Sequence, residues 1–260
     1  MSDPVFEVEN VSRVFTGSGR RVTAVDDVSL TLARGERLGI VGESGSGKST
    51  LIRMMAALDR PTSGSIRLNG TDTALPESRL GFLRSAVQLV FQDPRSSLNP
   101  RMRASDIISE PLRSPLLRGR EDVPTDRPAR VREVLDAVGL PADSGRRYPH
   151  EFSGGQRQRI AIARALAPNP QVLIADEAVS ALDVSVRAQV LNLLNDLVTG
   201  FGLTLVFVSH DLMVVRHTCD SVLVLRSGRV VERGPTMQVY ADPQAEYTRE
   251  LLAAVPRLPE

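Results

Sequence analysis

The run Gly42-Glu43-Ser44-Gly45-Ser46-Gly47-Lys48-Ser49-Thr50 is where residue types and spacing could do chemistry most directly. Glycines at 42, 45 and 47 let the backbone turn tightly, so that successive N–H groups can point into one anion-sized hollow. Lys48 sits where an ammonium can reach the β- and γ-phosphates of a bound ligand. Ser49 can place a hydroxyl on Mg²⁺, and a helix opening at 48 adds the positive end of its dipole. A glycine turn beside an exposed lysine is the plainer reading, but the flanks oppose it. Arg37 to Val41 reads as a buried strand, and Leu51-Ile52-x-Met54-Met55-x-x-Leu58 as an amphipathic helix.

Further candidates fall where apolar runs end. Gln171-Val-Leu-Ile-Ala175 leads straight into Asp176-Glu177. An acid at the end of a strand beside a phosphate site suits Asp176 to hold Mg²⁺ through water, and leaves Glu177 to orient and deprotonate an attacking water. His210 closes the next apolar run and can hydrogen-bond a γ-phosphate, while His150 and His217 read as surface or packing residues. Gln92 ends another strand, with a carbonyl and an amide suited to a Mg²⁺ contact or a nucleotide-dependent hinge. Ser153-Gly154-Gly155-Gln156 has the form of a capping box ahead of the alanine-rich run to Leu166. Its adjacent glycines open a helix N-terminus to close approach by an anion.

The elements that must position these groups follow from periodicity. Val5 to Val8, Arg21 to Val25, Val28 to Leu32 and the strand ending at Val41 are separated by turns at Gly17-Ser18-Gly19 and Arg34-Gly35, which predicts an antiparallel β layer feeding a parallel sheet. Ser65 to Gly70 predicts a strand closing on an Asn-Gly turn, and Val87 to Phe91 the next strand. Strand and helix then alternate, with a helix from Ser185 to about Val198 and a strand at Leu203 to Val208, as in a doubly wound α/β sheet. A hairpin follows around Ser227-Gly228, then a helical tail at Glu246 to Val255. Between about 100 and 150 prolines and arginines crowd together with short helical patterns such as Val131-x-x-Val134-Leu135-x-x-Val138, which predicts an inserted helical subdomain.

Bulk properties bound the rest. The 260 residues carry a formal net charge of +1, so no global polycation argues for nucleic acid. The single cysteine, Cys219, excludes an internal disulfide framework and any multi-cysteine metal cluster, and reads as core packing in a reducing compartment. No basic-then-apolar leader opens the sequence, and no run approaches the roughly 20 apolar residues a membrane span requires. The expectation is a chain neither exported nor inserted.

Taken in order, Gly42 to Thr50, Gln92, Ser153 to Gln156, Val172 to Glu177, Ser180-Ala-Leu-Asp183 and His210 resemble the nucleotide-binding subunit of an ABC transporter over nearly the whole chain. The resemblance implies a P-loop NTPase core over 1–98 and 150–235 and a helical subdomain over 99–149 whose signature helix runs on to about 167. It also implies a helical tail over 236–260. It implies ATP with Mg²⁺ bound between two such subunits paired head to tail, with Glu177 as catalytic base, Phe15 stacked on adenine and Asp183 communicating across the pair. The expected partners are a second ATP-binding subunit of the same or a homologous chain, two transmembrane permease subunits and, indirectly, an extracytoplasmic solute-binding protein. The expected place is the cytoplasmic face of the cell membrane. Gln92-Asp-Pro-Arg-Ser-Ser-Leu-Asn-Pro100, Ser180 to Val186 and Tyr247 to Pro256 are similar to the peptide, nickel and opine branch of importers. That branch usually has His-Pro where this chain has Ala245-Glu246, and a proline-containing sequence where it has Ala178-Val179. The alternatives are a soluble ABC ATPase outside transport, which usually fuses two ATPase units or carries long coiled coils, and a regulatory subunit that senses nucleotide without hydrolysing it.

Overall fold

A computed structural model describes residues 4–17, 20–180 and 182–254. Ser18-Gly19 of the expected first turn, Ala181 of the Ser180 to Asp183 run and the end of the tail from Val255 lie outside the described residues. In chain order the elements begin with β1 (Pro4–Gly17), β2 (Arg20–Ala33), β3 (Arg37–Val41), α1 (Lys48–Met55), β4 (Ser63–Leu68) and β5 (Thr71–Asp72). They continue with α2 (Gly81–Ala86), β6 (Val87–Val90), α3 (Pro94–Ser97), α4 (Ala104–Ser109), α5 (Arg127–Ala137), α6 (Gly154–Leu166), β7 (Val172–Asp176) and α7 (Val184–Gly200). The last are β8 (Thr204–Ser209), α8 (Leu212–Thr218), β9 (Ser221–Arg226), β10 (Arg229–Pro235), α9 (Thr236–Ala241) and α10 (Glu246–Ala253). The chain divides into two compact units, Met1–Leu75 with Thr204–Glu260, and Pro76–Leu203.

The first unit holds an antiparallel sheet in the order β2-β1-β4-β5 and a second run of strands in the order β10-β9-β3-β8. β3 runs parallel to both β8 and β9, and β10 turns back antiparallel on β9. Strands β3, β8 and β9 are near-continuous apolar runs, the pattern of strands buried on both faces. The strands expected at 21–25 and 28–32 are one strand, β2. Their apparent break is a register irregularity in its pairing with β1, where Asn10 and Asp27 take positive φ and the Asn10 side-chain Nδ2 donates to Asp27 Oδ1 at 3.0 Å. The helix expected to run through Leu58 ends at Met55. Ala57 turns left-handed at φ 49°, and Leu58 is 45% exposed rather than on the buried face.

In the second unit β6 pairs parallel with β7, and α4, α5 and α7 pack on α6. The α5 face made by Val131, Val134 and Leu135 is buried, as its spacing predicts. Asp126 caps that helix, accepting from the Ala129 amide at 3.0 Å, and Pro128 follows in its first turn.

Candidate functional site

The glycine loop of residues 42–47 follows β3 and opens α1 at Lys48. Gly42 and Gly47 are there for lack of room as well as for conformation. A Cβ on Gly42, at φ +151°, would lie 2.2 Å from the Leu225 carbonyl oxygen, and one on Gly47, at φ +107°, would lie 2.3 Å from that of Ala24. Gly45, at φ +81°, faces open space, and Ser44 beside it is exposed. The loop is held by the β9–β10 turn, where the Gly228 amide donates to the Ser46 carbonyl at 2.9 Å. Lys48 is 5% exposed, and its Nζ donates to the carbonyls of Gly42 at 2.7 Å and Glu43 at 2.8 Å. Ser49 is exposed on the first turn, and Thr50 is half-buried behind it in sequence. Ser46 is 5% exposed, and its hydroxyl is buried without a hydrogen bond.

His210 follows β8 and is exposed, while Asp211 beside it caps α8, accepting from the Met213 amide at 3.0 Å and the Val214 amide at 3.3 Å. Phe15 lies on β1 with 43% of its surface exposed, and the Arg13 guanidinium stands 4.5 Å from its ring centroid. Arg13 is in turn paired with Asp59 at 2.8 Å, so the stacked cation is itself positioned. His217 is exposed on α8, and the exposed His150 lies against Tyr148 with centroids 5.9 Å apart. Cys219 is buried, and burial followed by the Asp220 charge pushes its thiol pKa well up.

In the second unit Asp176 ends β7 and Glu177 follows at φ +47°, a left-handed conformation that costs a residue with a Cβ about 1–2 kcal/mol. The turn is closed by Ser180, whose amide and hydroxyl both donate to the Glu177 carbonyl at 3.0 Å. Gln92 Nε2 donates to the same hydroxyl at 3.0 Å, so one serine ties Gln92 to the turn that carries Glu177. Gln92 and Asp176 line one cavity of about 470 Å³ together with Phe91, Asp93, Ser97 and Arg164. Arg164 has no counterpart among the sequence candidates. Its guanidinium donates to the Ser97 carbonyl at 2.6 Å, and burial pushes it below its usual pKa against the opposing pull of Glu110. A basic residue inside an alanine-rich helix was the only signal available for it.

The Ser153 expectation is met in local geometry. Ser153 Oγ accepts from the Gln156 amide at 3.3 Å, and Gln156 Oε1 accepts from the Ser153 amide at 3.0 Å, a closed capping box. Gly154 and Gly155 are the first residues of α6. Ser153, Gly155 and Gln156 line a separate cavity of about 340 Å³ with Arg159 and Gln189. Asp183 is exposed at the N-cap of α7 and makes no side-chain capping bond.

Chemically, the loop offers oriented backbone donors and a lysine, and the second unit offers carboxylates and an amide. Mg²⁺ takes hard oxygen donors in octahedral geometry and keeps several waters and substrate oxygens. Gln92 and Asp176 bring an amide oxygen and a carboxylate of that kind to one cavity, and Ser49, in the other unit, carries a hydroxyl. Among the described residues no group of three or more His, Cys, Asp or Glu could hold a metal ion. Gln92 and Asp176 suit a Mg²⁺ whose remaining positions are filled by water and phosphate oxygens.

Residues 25–180 match the family described as ABC transporter. The dipeptide transport ATP-binding protein DppF of Haemophilus influenzae is 49% identical over 240 residues, 92% of this chain and 72% of its own. A peptide import ATP-binding protein of Brucella abortus is 53% identical over 237 residues, 90% of this chain and 70% of its own. The dimeric ATP-binding cassette MJ0796, solved in a post-hydrolysis state with ADP and Pi, superposes with a TM-score of 0.78 at 32% identity, covering 89% of this chain and 98% of that one.

Proposed function

The chain belongs to the ABC transporter family, and on that premise we propose that it is the ATP-hydrolysing subunit of an importer for peptides or related small solutes. The observation that carries this reading is the glycine loop, whose close backbone approaches exclude a side chain at Gly42 and Gly47 and whose carbonyls hold a nearly buried Lys48. Relatives of which this chain covers 70% and 72% are named for peptide import and dipeptide transport, which favours peptides over nickel within the branch.

In this reading the N–H groups of residues 44–49 receive the phosphates, and Lys48 moves from its carbonyls to the β- and γ-phosphates. Phe15 offers its exposed face to the adenine. Ser49, Gln92 and Asp176 would hold Mg²⁺, which when bound would supply neutralisation of charge on the transferred phosphoryl group. Glu177 orients the attacking water and takes its proton, and His210 hydrogen-bonds the γ-phosphate. Ser153, Gly154, Gly155 and Gln156 cover the nucleotide of a second ATP-binding subunit, with Asp183 communicating across the pair. Two permease subunits receive the movement, and an extracytoplasmic binding protein delivers the solute. No helix of the described residues is long and apolar enough to cross a membrane. Binding to the permeases would place the chain at the cytoplasmic face.

The test is turnover by the complex reconstituted with its permeases. Glu177→Gln is expected to lower kcat by at least 100-fold while ATP still binds, because a general base contributes roughly 10²–10⁴-fold. ATPase activity comparable to wild type in that variant removes Glu177 from the chemistry.

A further inference from the structure

The C-terminal helix reaches the glycine loop. Tyr247, in the first turn of α10 and 4% exposed, accepts a hydrogen bond on its hydroxyl from the Glu43 amide at 3.1 Å. Its ring is held against the Arg226 guanidinium, 4.6 Å from the ring centroid at the end of β9. The start of α10 is fixed in turn by Glu232 of β10, whose carboxylate accepts from the amides of Gln244 at 2.8 Å and Ala245 at 3.1 Å. The hairpin therefore seats the helix, and the helix seats a tyrosine on the loop.

The atom that Tyr247 touches matters. The Glu43 N–H belongs to the same peptide unit as the Gly42 carbonyl, and a planar trans peptide points these two groups in opposite directions. Tyr247 holds one end of that unit, and the other end accepts from Lys48 Nζ at 2.7 Å. Gly42 precedes the unit, so without an anchor rotation there meets little steric resistance. With Tyr247 in place, the carbonyl that sets the starting position of the Lys48 ammonium has a fixed direction.

We propose that Tyr247 is a positioning residue for Lys48 and the phosphate-binding loop, so that ATP affinity depends on the seating of the C-terminal helix. This rests on the reading of the loop as the ATP seat. Losing one hydrogen bond of ordinary strength corresponds to about a fivefold change in equilibrium.

The experiment uses the full chain, a fluorescent ATP analogue for affinity and amide hydrogen exchange read at Glu43. Tyr247→Phe keeps the ring and removes the hydroxyl. It is expected to weaken ATP binding about fivefold at a temperature where the variant is fully folded, and to speed exchange at Glu43 while the amides of β8 keep their protection. Glu232→Ala frees the start of α10 and is expected to act in the same direction. The double variant is expected to bind no more weakly than the weaker single, since both act through one bond. ATP affinity in Tyr247→Phe within twofold of wild type, or fully additive losses, overturns the proposal. A wild-type chain that binds no ATP instead overturns the reading of the loop, and the exchange rate at Glu43 still reports on the bond.

Discussion

At Gly47 the limit on the loop is set by one backbone atom. The Ala24 carbonyl cannot withdraw from a Cβ 2.3 Å away without disturbing β2, and φ +107° is itself strained for any L side chain. Gly47→Ala is therefore expected to lower the unfolding temperature and abolish binding of the ATP analogue, both measured on the purified chain. A variant that binds normally would mean that the loop has room. Lys48→Ala should lose nucleotide while keeping its unfolding temperature within a few degrees, which separates loss of the cation from loss of the fold. Cys219, with its thiol pKa raised by burial, should resist alkylation at pH 8 until denaturant is added. The loop was legible because its glycines and lysine lie within one short stretch. The Tyr247 contact was not, because its partner lies 204 residues away in sequence and an aromatic in a terminal helix gives no hint of what it touches.

Helix α6 is pinned at both ends, and only one end could be read from sequence. The capping box at Ser153 and Gln156 spans three residues, so it shows as a local pattern. The other end is closed by Arg130 from α5, whose Nε donates to the Ala167 carbonyl at 3.1 Å and whose second amino group donates to the Leu166 carbonyl at 2.6 Å. Arg130 is 6% exposed and also meets Glu133 at 2.6 Å. It looked like one basic residue in an arginine-rich stretch, because packing and not composition selects it to satisfy helix-end carbonyls. Arg130→Met keeps much of the side-chain volume but leaves the Ala167 carbonyl buried and unpaired, and the Leu166 carbonyl with the Asn169 amide alone. It should destabilise by about 2–3 kcal/mol in urea unfolding, whereas Ser153→Ala should cost only about 1 kcal/mol. Equal effects from the two would remove the distinction drawn between them. The same limit explains the merged β2 and the early end of α1. Register and helix termination depend on partners such as Asn10 and Asp27, which a periodicity window does not contain.

Alternation of strand and helix made the α/β class legible, but each compact unit also depends on charges that pattern does not show. Each carries a carboxylate held below its usual range. In the second unit the Arg120 guanidinium, at 2.9 Å, lowers the pKa of Asp122 against desolvation, helped by the Ser85 hydroxyl at 2.9 Å. In the first unit burial works against ionisation of Glu232, but the Thr248 side chain, the amides of Gln244 and Ala245 and the Arg249 charge together outweigh it. In both cases the unfolded chain binds a proton at a pH where the folded chain does not. The stabilisation is therefore fully present above the unfolded values of about 3.9 for Asp and 4.3 for Glu. It is lost as pH falls through the lower folded values. Both groups are partly solvated, so each should contribute less than about 1 kcal/mol. Urea midpoints measured at pH 7, 5 and 3.5 should hold level between the first two and drop at the third. Asp122→Asn and Glu232→Gln retain an acceptor oxygen but cannot titrate at these positions, so each should lower the midpoint at pH 7 and shrink the drop at pH 3.5. For Glu232→Gln the loss at pH 7 should come with slightly weaker ATP binding, since the same carboxylate seats the helix that carries Tyr247 to the loop. An undiminished acid drop in both variants would place the acid sensitivity on other carboxylates.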